Sequence, residues 1–376
     1  MTQFGLLSTY PPTRCGLATF TQSLATALVR PGDPAASIVR VLDEPEPRPV
    51  AVLGASAVVA AELVGGVPSD RVTAGRVLNA SDVVIVQHEY GIYGGPDGDE
   101  VLDLLRTIAS PCIVVLHTVL PNPTPSQRRV LDAVGALASA VVVMTENACG
   151  ILESTYGIPM TKVSVIPHGA PVRAPAQKHE TRARRRVLTW GLISPGKGVE
   201  WGVRAMAELT DLDLEYVVAG QTHPKVLATA GESYRENLTG LIENLGLEAR
   251  VSLDGRYLDD GELTELVDSA DVVLLPYDSR DQVTSGVLAE AVAAGLPVVA
   301  TGFPHAVELL AGGAGIIAAH EDPHSMAEAL RAVLTRSDVA QHMHEAALRD
   351  TEMTSWPDVA ERYRVLAAEL IAAQAA

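Results

Sequence analysis

The segment TSGVLAEAVAAGLPVVAT, Thr284 to Thr301, sets one acid in an apolar, helix-forming run. Thr284 or Ser285 can cap the helix, Gly295 can stop it, and Pro297–Ala300 can continue as a strand. Apart from His305, Glu290 is the sole ionisable residue between the Arg280/Asp281 pair and Glu308. A carboxylate buried beside Val287, Leu288, Ala291 and Val292 is costly unless hydrogen-bond donors satisfy it. A vicinal diol does so, offering two hydroxyls to two oxygens, as when acidic residues of dinucleotide folds hold ribose. The alternative leaves Glu290 on an exposed helical stripe. The Thr-Ser-Gly start presents backbone N–H groups at the positive end of the helix dipole, a place for phosphate. Phosphate at the helix start with a diol reader a turn inward describes a nucleotide site.

A second segment, WGLISPGKGVEW (Trp190–Trp201), ends a strand, turns through Ser-Pro-Gly and opens a helix at Lys197-Gly198. Parallel α/β sheets bind ligands at the carboxyl ends of their strands, where this loop falls. Helix N-termini disfavour cations, so Lys197 there implies an anion between the two; the alternative is a surface lysine at a turn. The GxxxxGK[ST] spacing of a P-loop is absent, which disfavours nucleotide hydrolysis.

Two series of short β-branched runs alternating with helical stretches must position these loops. The first places strands at Phe4–Leu7, Ile38–Leu42, Val83–Val86, Cys112–Leu116, Val141–Met144 and Val163–Ile166. Helices follow at Leu17–Val29, Glu100–Ile108, Ser126–Leu137 and Ala148–Thr155. The second places strands near Val187–Trp190, Leu214–Ala219, Val251–Leu253, Val272–Leu275 and Val298–Ala300. Its helices lie near Val199–Leu209, Arg235–Leu245, Glu262–Ser269 and Val287–Ala294. Continuous apolar strands are buried on both faces, which predicts parallel sheets covered by helices. The expected architecture is two Rossmann-like doubly wound α/β domains, at 1–172 and 186–352, joined by a proline- and charge-rich linker at 173–185.

Charge excludes several partners. The chain of 376 residues carries 28 Lys+Arg against 46 Asp+Glu, a net of −18, so nucleic acid and anionic lipid are poor candidates. The deficit lies mostly in the second half, where 17 basic residues face 31 acidic ones after residue 175. Cys15, Cys112 and Cys149 form neither a disulfide framework nor a zinc spacing and fit a reducing compartment. With no basic n-region and no apolar span long enough for a bilayer, a soluble cytoplasmic protein is expected.

The pairing of G-x-x-S-P-x-K-G with E-A-x-A-x-G-x-P-V-V-A-T resembles the retaining, GT-B-fold glycosyltransferases of family 4. STYPPTRCGLATF (Ser8–Phe20) and QHEYGIYGG (Gln87–Gly95) resemble one of its bacterial branches. The resemblance implies a GT-B architecture in which residues 353–376, opening at Trp356-Pro357-Asp358, form a helix that packs back on the first domain. It implies donor contacts from Gly16, Gly191, Ser194, Lys197, Gln282, Thr284, Ser285, Gly286, Val287 and Glu290, with His117, Lys197 and Glu290 catalytic. His117 would lie near the donor sugar, a structural histidine at a strand end being the alternative. Arg14, His88, Glu89, Tyr93, Gly94 and Gly95 would contact the acceptor, although Tyr90 and Tyr93 equally suit packing. Two departures stand out: Gln282 replaces the first glutamate of the family's E-x7-E motif, and Leu192 replaces the arginine that helps neutralise the diphosphate. The amides of Ser285–Val287, with Arg14 or Arg280, would complete the charge balance.

The implied reaction moves a hexose-type sugar from a nucleoside diphosphate, UDP or GDP first, to a small-molecule or glycan acceptor with retention. No cofactor is expected. No DxD motif stands in the right context for a metal, and Asp97, Asp99 and Glu100 suit a helix N-terminus. A nucleotide-sugar epimerase, a sugar phosphorylase and a non-catalytic nucleotide-sugar-binding protein remain alternatives. Alanine-rich C-terminal helices allow a homodimer.

Overall fold

The computed structural model describes residues 1–46, 55–172, 184–351 and 354–376. The chain divides into two compact units, Met1–Gly169 with Trp356–Ala376, and Ala170–Ser355. Most of the expected linker, 173–183, lies outside the described residues.

In the first unit, β1 (Phe4–Ser8), β2 (Ala36–Leu42), β3 (Ala57–Val64), β4 (Val83–His88), β5 (Cys112–Leu116), β6 (Ala140–Val143) and β7 (Val163–Val165) form a parallel sheet in the order β3-β2-β1-β4-β5-β6-β7. Helices α1 (Gly16–Leu28), α2 (Pro68–Leu78), α3 (Val101–Leu105), α4 (Pro125–Leu137) and α5 (Glu146–Thr155) connect them. β1, β4 and β5 are buried along their whole length, as strands covered on both faces must be. Strand order reverses between β1 and β4, the switch point at which open α/β sheets take ligands.

The second unit repeats the plan. β8 (Arg185–Trp190), β9 (Leu214–Ala219), β10 (Val251–Asp254), β11 (Val272–Leu275), β12 (Val298–Thr301) and β13 (Gly315–Ala318) are parallel in the order β10-β9-β8-β11-β12-β13. Its helices are α6 (Val199–Ala207), α7 (Pro224–Ala230), α8 (Ser233–Asn244), α9 (Asp260–Asp268), α10 (Gly286–Ala293), α11 (Pro304–Leu309), α12 (Pro323–Thr335) and α13 (Ser337–Asp350). Here the order reverses between β8 and β11, so the loops after Trp190 and Leu275 leave adjacent strand ends.

The last helix, α14 (Trp356–Ala375), packs on α1 through Val359, Ala360, Tyr363 and Ala367, in one core with Phe20, Leu24 and Leu28. The Arg364 guanidinium donates to the Ala27 and Leu28 carbonyls, at 2.8 and 3.2 Å, satisfying acceptors that the end of α1 leaves unpaired.

The sequence reading lacks two edge strands and the helices α2, α7, α11, α12 and α13, of which α12 packs into the core of the second unit. β3 and β13 are edge strands with interrupted burial; Glu62, paired with the buried Arg40 of β2 at 2.9 Å, breaks the apolar run of β3, and β13 is apolar but only four residues long. α2 buries only Ala74, Gly75 and Leu78, too few to write a helical period. Among the described residues, no helix is long and apolar enough to cross a membrane.

Candidate functional site

In the second unit, the loop Gly191–Gly198 and the start of α10 meet at the switch point. Gly191 has φ +118°, and a Cβ there would stand 3.4 Å from Val287 Cγ2, so the two segments touch. Gly198 caps α6 at φ 59°, and a Cβ would fall 1.8 Å from the Pro276 carbonyl oxygen. Only glycine brings the loop this close to the end of β11. Between these glycines the Lys197 N–H donates to the Ser194 carbonyl at 3.1 Å, and the Asp278 N–H donates to the Gly196 carbonyl at 3.0 Å. Trp201 Nε1 adds a bond to Asp278 Oδ1 at 2.8 Å. The loop is therefore tied to the segment after β11 from both sides.

Lys197 Nζ lies 4.0 Å from the centroid of Tyr277, whose buried ring stacks on Phe303 at 5.1 Å. Cation–π attraction holds the ammonium without neutralising it. Among the described residues no carboxylate pairs with Lys197. A positive group packed on an aromatic floor beside a helix N-terminus favours an anion.

Helix α10 starts at a buried cap. Ser285 Oγ accepts from the Leu288 N–H at 3.3 Å, while the Ser285 N–H donates to His305 Nδ1 at 2.8 Å. This corrects the expectation that Ser285–Val287 offer three amides: Ser285's is taken, and among the described residues those of Gly286 and Val287 are left as open donors. The bond also fixes the His305 tautomer, with Nδ1 as acceptor. Thr284 Oγ1 and the Tyr277 hydroxyl are buried without a protein partner, so two more polar atoms remain unsatisfied around the β11–α10 segment. Glu290 lies one turn inward and is half-buried, neither sunk among its apolar neighbours as expected nor fully exposed. Gln282 uses its Nε2–H on the Thr284 carbonyl at 3.0 Å and its own carbonyl accepts from the His305 N–H at 3.3 Å, so it shapes the turn before α10.

In the first unit, Gly16 opens α1, and nothing lies within 4 Å of where a Cβ would stand, leaving its backbone approachable. Arg14 is exposed two residues earlier. His117 follows β5, with its Nε2 2.7 Å from Gln87 Oε1 and its ring edge-on to Phe20 at 4.8 Å. Burial, then the neighbouring His168 and His88, lowers its pKa to about 3, and burial takes His88 and His168 to about 4, so all three are neutral near pH 7. His88 is buried with neither ring nitrogen partnered, while Glu89 accepts from the Tyr90 N–H at 2.9 Å and from Thr118 Oγ1 at 2.5 Å.

Packing accounts for the remaining acceptor candidates. Tyr93 is buried, with its hydroxyl donating to the Gln87 carbonyl at 2.7 Å. A Cβ on Gly94 would meet Glu100 Oε2 at 2.7 Å, and one on Gly95 would meet Asp99 Oδ1 at 2.2 Å, so these glycines accommodate the start of α3. Glu100 caps that helix and also accepts from the Gly66 N–H at 2.8 Å. The sequence reading missed Gln87, Tyr277, Phe303 and His305. Their signal, a polar or aromatic residue at the carboxyl end of a buried strand, is faint because such residues also close cores.

Comparison with known proteins adds to this geometry. Residues 184–336 match the family model described as glycosyl transferases group 1. Over 257 residues, 62% of this chain, the sequence is 29% identical to the D-inositol 3-phosphate glycosyltransferase of Corynebacterium glutamicum, and the match spans 58% of that protein's length. Sucrose-phosphate synthase from Thermosynechococcus elongatus superposes with a TM-score of 0.77 at 17% identity, covering 99% of this chain and all (100%) of that one. HepE of Anabaena in complex with UDP superposes at 0.75 and 16% identity, covering 98% of this chain and 100% of its own. The fold is GT-B, built of two parallel-sheet Rossmann-like units.

Proposed function

We propose that this chain is a retaining glycosyltransferase that transfers a hexose-type sugar from a nucleoside diphosphate. Two observations carry the reading: Lys197 rests on an aromatic floor in the loop after β8, and that loop touches the start of α10 where Gly191 meets Val287, at the switch point of the second sheet. The family model covers this region, which supports a donor role for it. Departure of the sugar concentrates negative charge on the β-phosphate, and preorganised donors aimed at developing charge supply the dominant stabilisation in such sites. Lys197, Gly286 and Val287 would provide it here, and Glu290 would hold the ribose diol. Gly191 and Ser194 would let the backbone approach the diphosphate.

On the first unit, His117 would contact the transferred sugar and Gly16 the diphosphate, with Arg14, His88 and Glu89 toward the acceptor. Retention by front-face attack, with the departing phosphate taking the acceptor's proton, requires no enzyme nucleophile, and none is assigned. HepE is complexed with UDP and with UDP-glucose, which makes UDP-glucose the first donor to test, ahead of GDP-sugars.

The test is product analysis with UDP-glucose and GDP-mannose against polyol, polyol-phosphate and glycan acceptors. Release of UDP or GDP with a new glycoside of unchanged anomeric configuration is expected. An epimerised donor or a sugar phosphate as the product would overturn the reading.

A further inference from the structure

Along one face of the first sheet, apolar side chains give way to a polar row at the carboxyl edge. Register aligns Leu7 of β1 with Val86 of β4, and Gln87 with Val115 of β5. Side chains alternate along a strand, so Ser8, Gln87 and His117 continue the face carrying Leu6, Ile85 and Val115. That face is covered by Phe20 of α1 and Trp356 of α14.

Gln87 is fully buried at the centre of this row, beside the point where strand order reverses. Its backbone is held on both sides, by the ladder to β5 and by the Tyr93 hydroxyl on its carbonyl. Its side-chain oxygen stands 2.7 Å from His117 Nε2. With the amide oriented so that its oxygen faces the ring, and its Nε2 buried without a hydrogen-bond partner, the facing nitrogen carries the proton and His117 Nδ1 carries the lone pair. The titratable groups facing the ring are His168 and His88, both neutral near pH 7; the neighbouring Glu89 carboxylate is occupied by Thr118 and the Tyr90 N–H.

We propose that Gln87 is a positioning residue for His117, fixing the tautomer in which Nδ1 accepts a hydrogen bond from a hydroxyl of the transferred sugar. This rests on the transferase reading and deepens it, since it makes His117 a neutral acceptor. A glutamine suits that task better than the carboxylate more often found against a histidine. A carboxylate would hold the imidazolium form and convert the acceptor into a donor.

The experiment compares the wild type with Gln87→Glu and Gln87→Leu in two readouts. In the first, nitrogen-15 NMR of histidine-labelled protein, with His117 assigned through His117→Gln, reports which ring nitrogen carries hydrogen. Wild type is expected to show Nε2–H and an unprotonated Nδ1 from pH 5 to 9, and Gln87→Glu a ring that gains its second proton within that range. In the second, kcat and donor KM are followed against pH. Gln87→Leu should lose about tenfold or more in kcat with donor KM changed less than about twofold. Gln87→Glu should keep partial activity at high pH and lose it as pH falls through the raised histidine pKa.

An Nδ1–H tautomer in the wild type, or a Gln87→Glu ring that titrates as the wild type does, overturns the inference. So does a kcat that neither variant lowers. Should the wild type show no transfer with any acceptor, the functional reading fails by itself, and the NMR arm still decides whether Gln87 sets the ring.

Discussion

Lys197 acts through what lies beneath it. A lysine on an aromatic face keeps its charge and a defined position, whereas one paired with a carboxylate would meet a diphosphate already half-neutralised. Tyr277→Leu should therefore weaken donor binding several-fold, for a loss of about 1 kcal/mol, while Tyr277→Phe keeps the ring and should bind as the wild type does, as measured by calorimetry. Gly198→Ala drives a methyl into the Pro276 carbonyl and should abolish binding through the displaced loop, even where urea titration shows the rest of the unit folded. The place of Lys197 in a loop between a strand end and a helix start was legible in the sequence, because Gly-Lys-Gly follows an apolar run there. Tyr277 was not, because a tyrosine after a buried strand usually closes a core. Glu290 was legible as a lone acid, but its burial was not: a helix on the rim of a sheet turns one side toward solvent, and its angular position depends on packing.

At the scale of elements, α10 depends on a cap whose parts are twenty residues apart in sequence. His305 takes the Ser285 N–H, and Ser285 Oγ takes the Leu288 N–H. Ser285→Ala should cost about 1 kcal/mol of stability in urea unfolding, with a larger proportional loss of donor affinity because the helix start is misplaced. The Thr-Ser-Gly cap could be read from sequence, but its histidine partner could not, since only the sheet order brings the start of α11, after β12, beside it. The start of α14 was legible in Trp356-Pro357-Asp358, whereas its grip on α1 depends on Arg364 reaching carbonyls more than three hundred residues away. Arg364→Ala should destabilise the first unit by about 1–3 kcal/mol, read as a lower urea midpoint, because buried acceptors lose a charged donor.

For the molecule as a whole, the alternation of β-branched runs with helical stretches already implied two parallel sheets covered by helices, whereas the place at which each strand order reverses is visible only in the folded sheets. The acid response belongs to this scale. His88, His117 and His168 all lie in the first unit with pKa values pushed below the ordinary 6.5, so the unfolded chain binds protons there more readily than the folded one. Stability contributed by keeping them neutral is present above about pH 6.5 and is lost as pH falls toward about 4, by up to about 1.4 kcal/mol per pH unit for each histidine. Urea midpoints reported by Trp356 fluorescence, with Trp190 and Trp201 replaced by Phe, should fall steeply between pH 6.5 and 4.5. A flat midpoint would mean that these rings are solvated.

The most direct measurement is a thermal-shift titration of the wild type, Lys197→Ala and Glu290→Ala with UDP, GDP, UDP-glucose and GDP-mannose. At about 100 times its dissociation constant, a true donor should stabilise the wild type by about 2.7 kcal/mol. Both variants should lose that shift while melting normally without nucleotide. Shifts of wild-type size in both variants would place the diphosphate elsewhere and contradict the account.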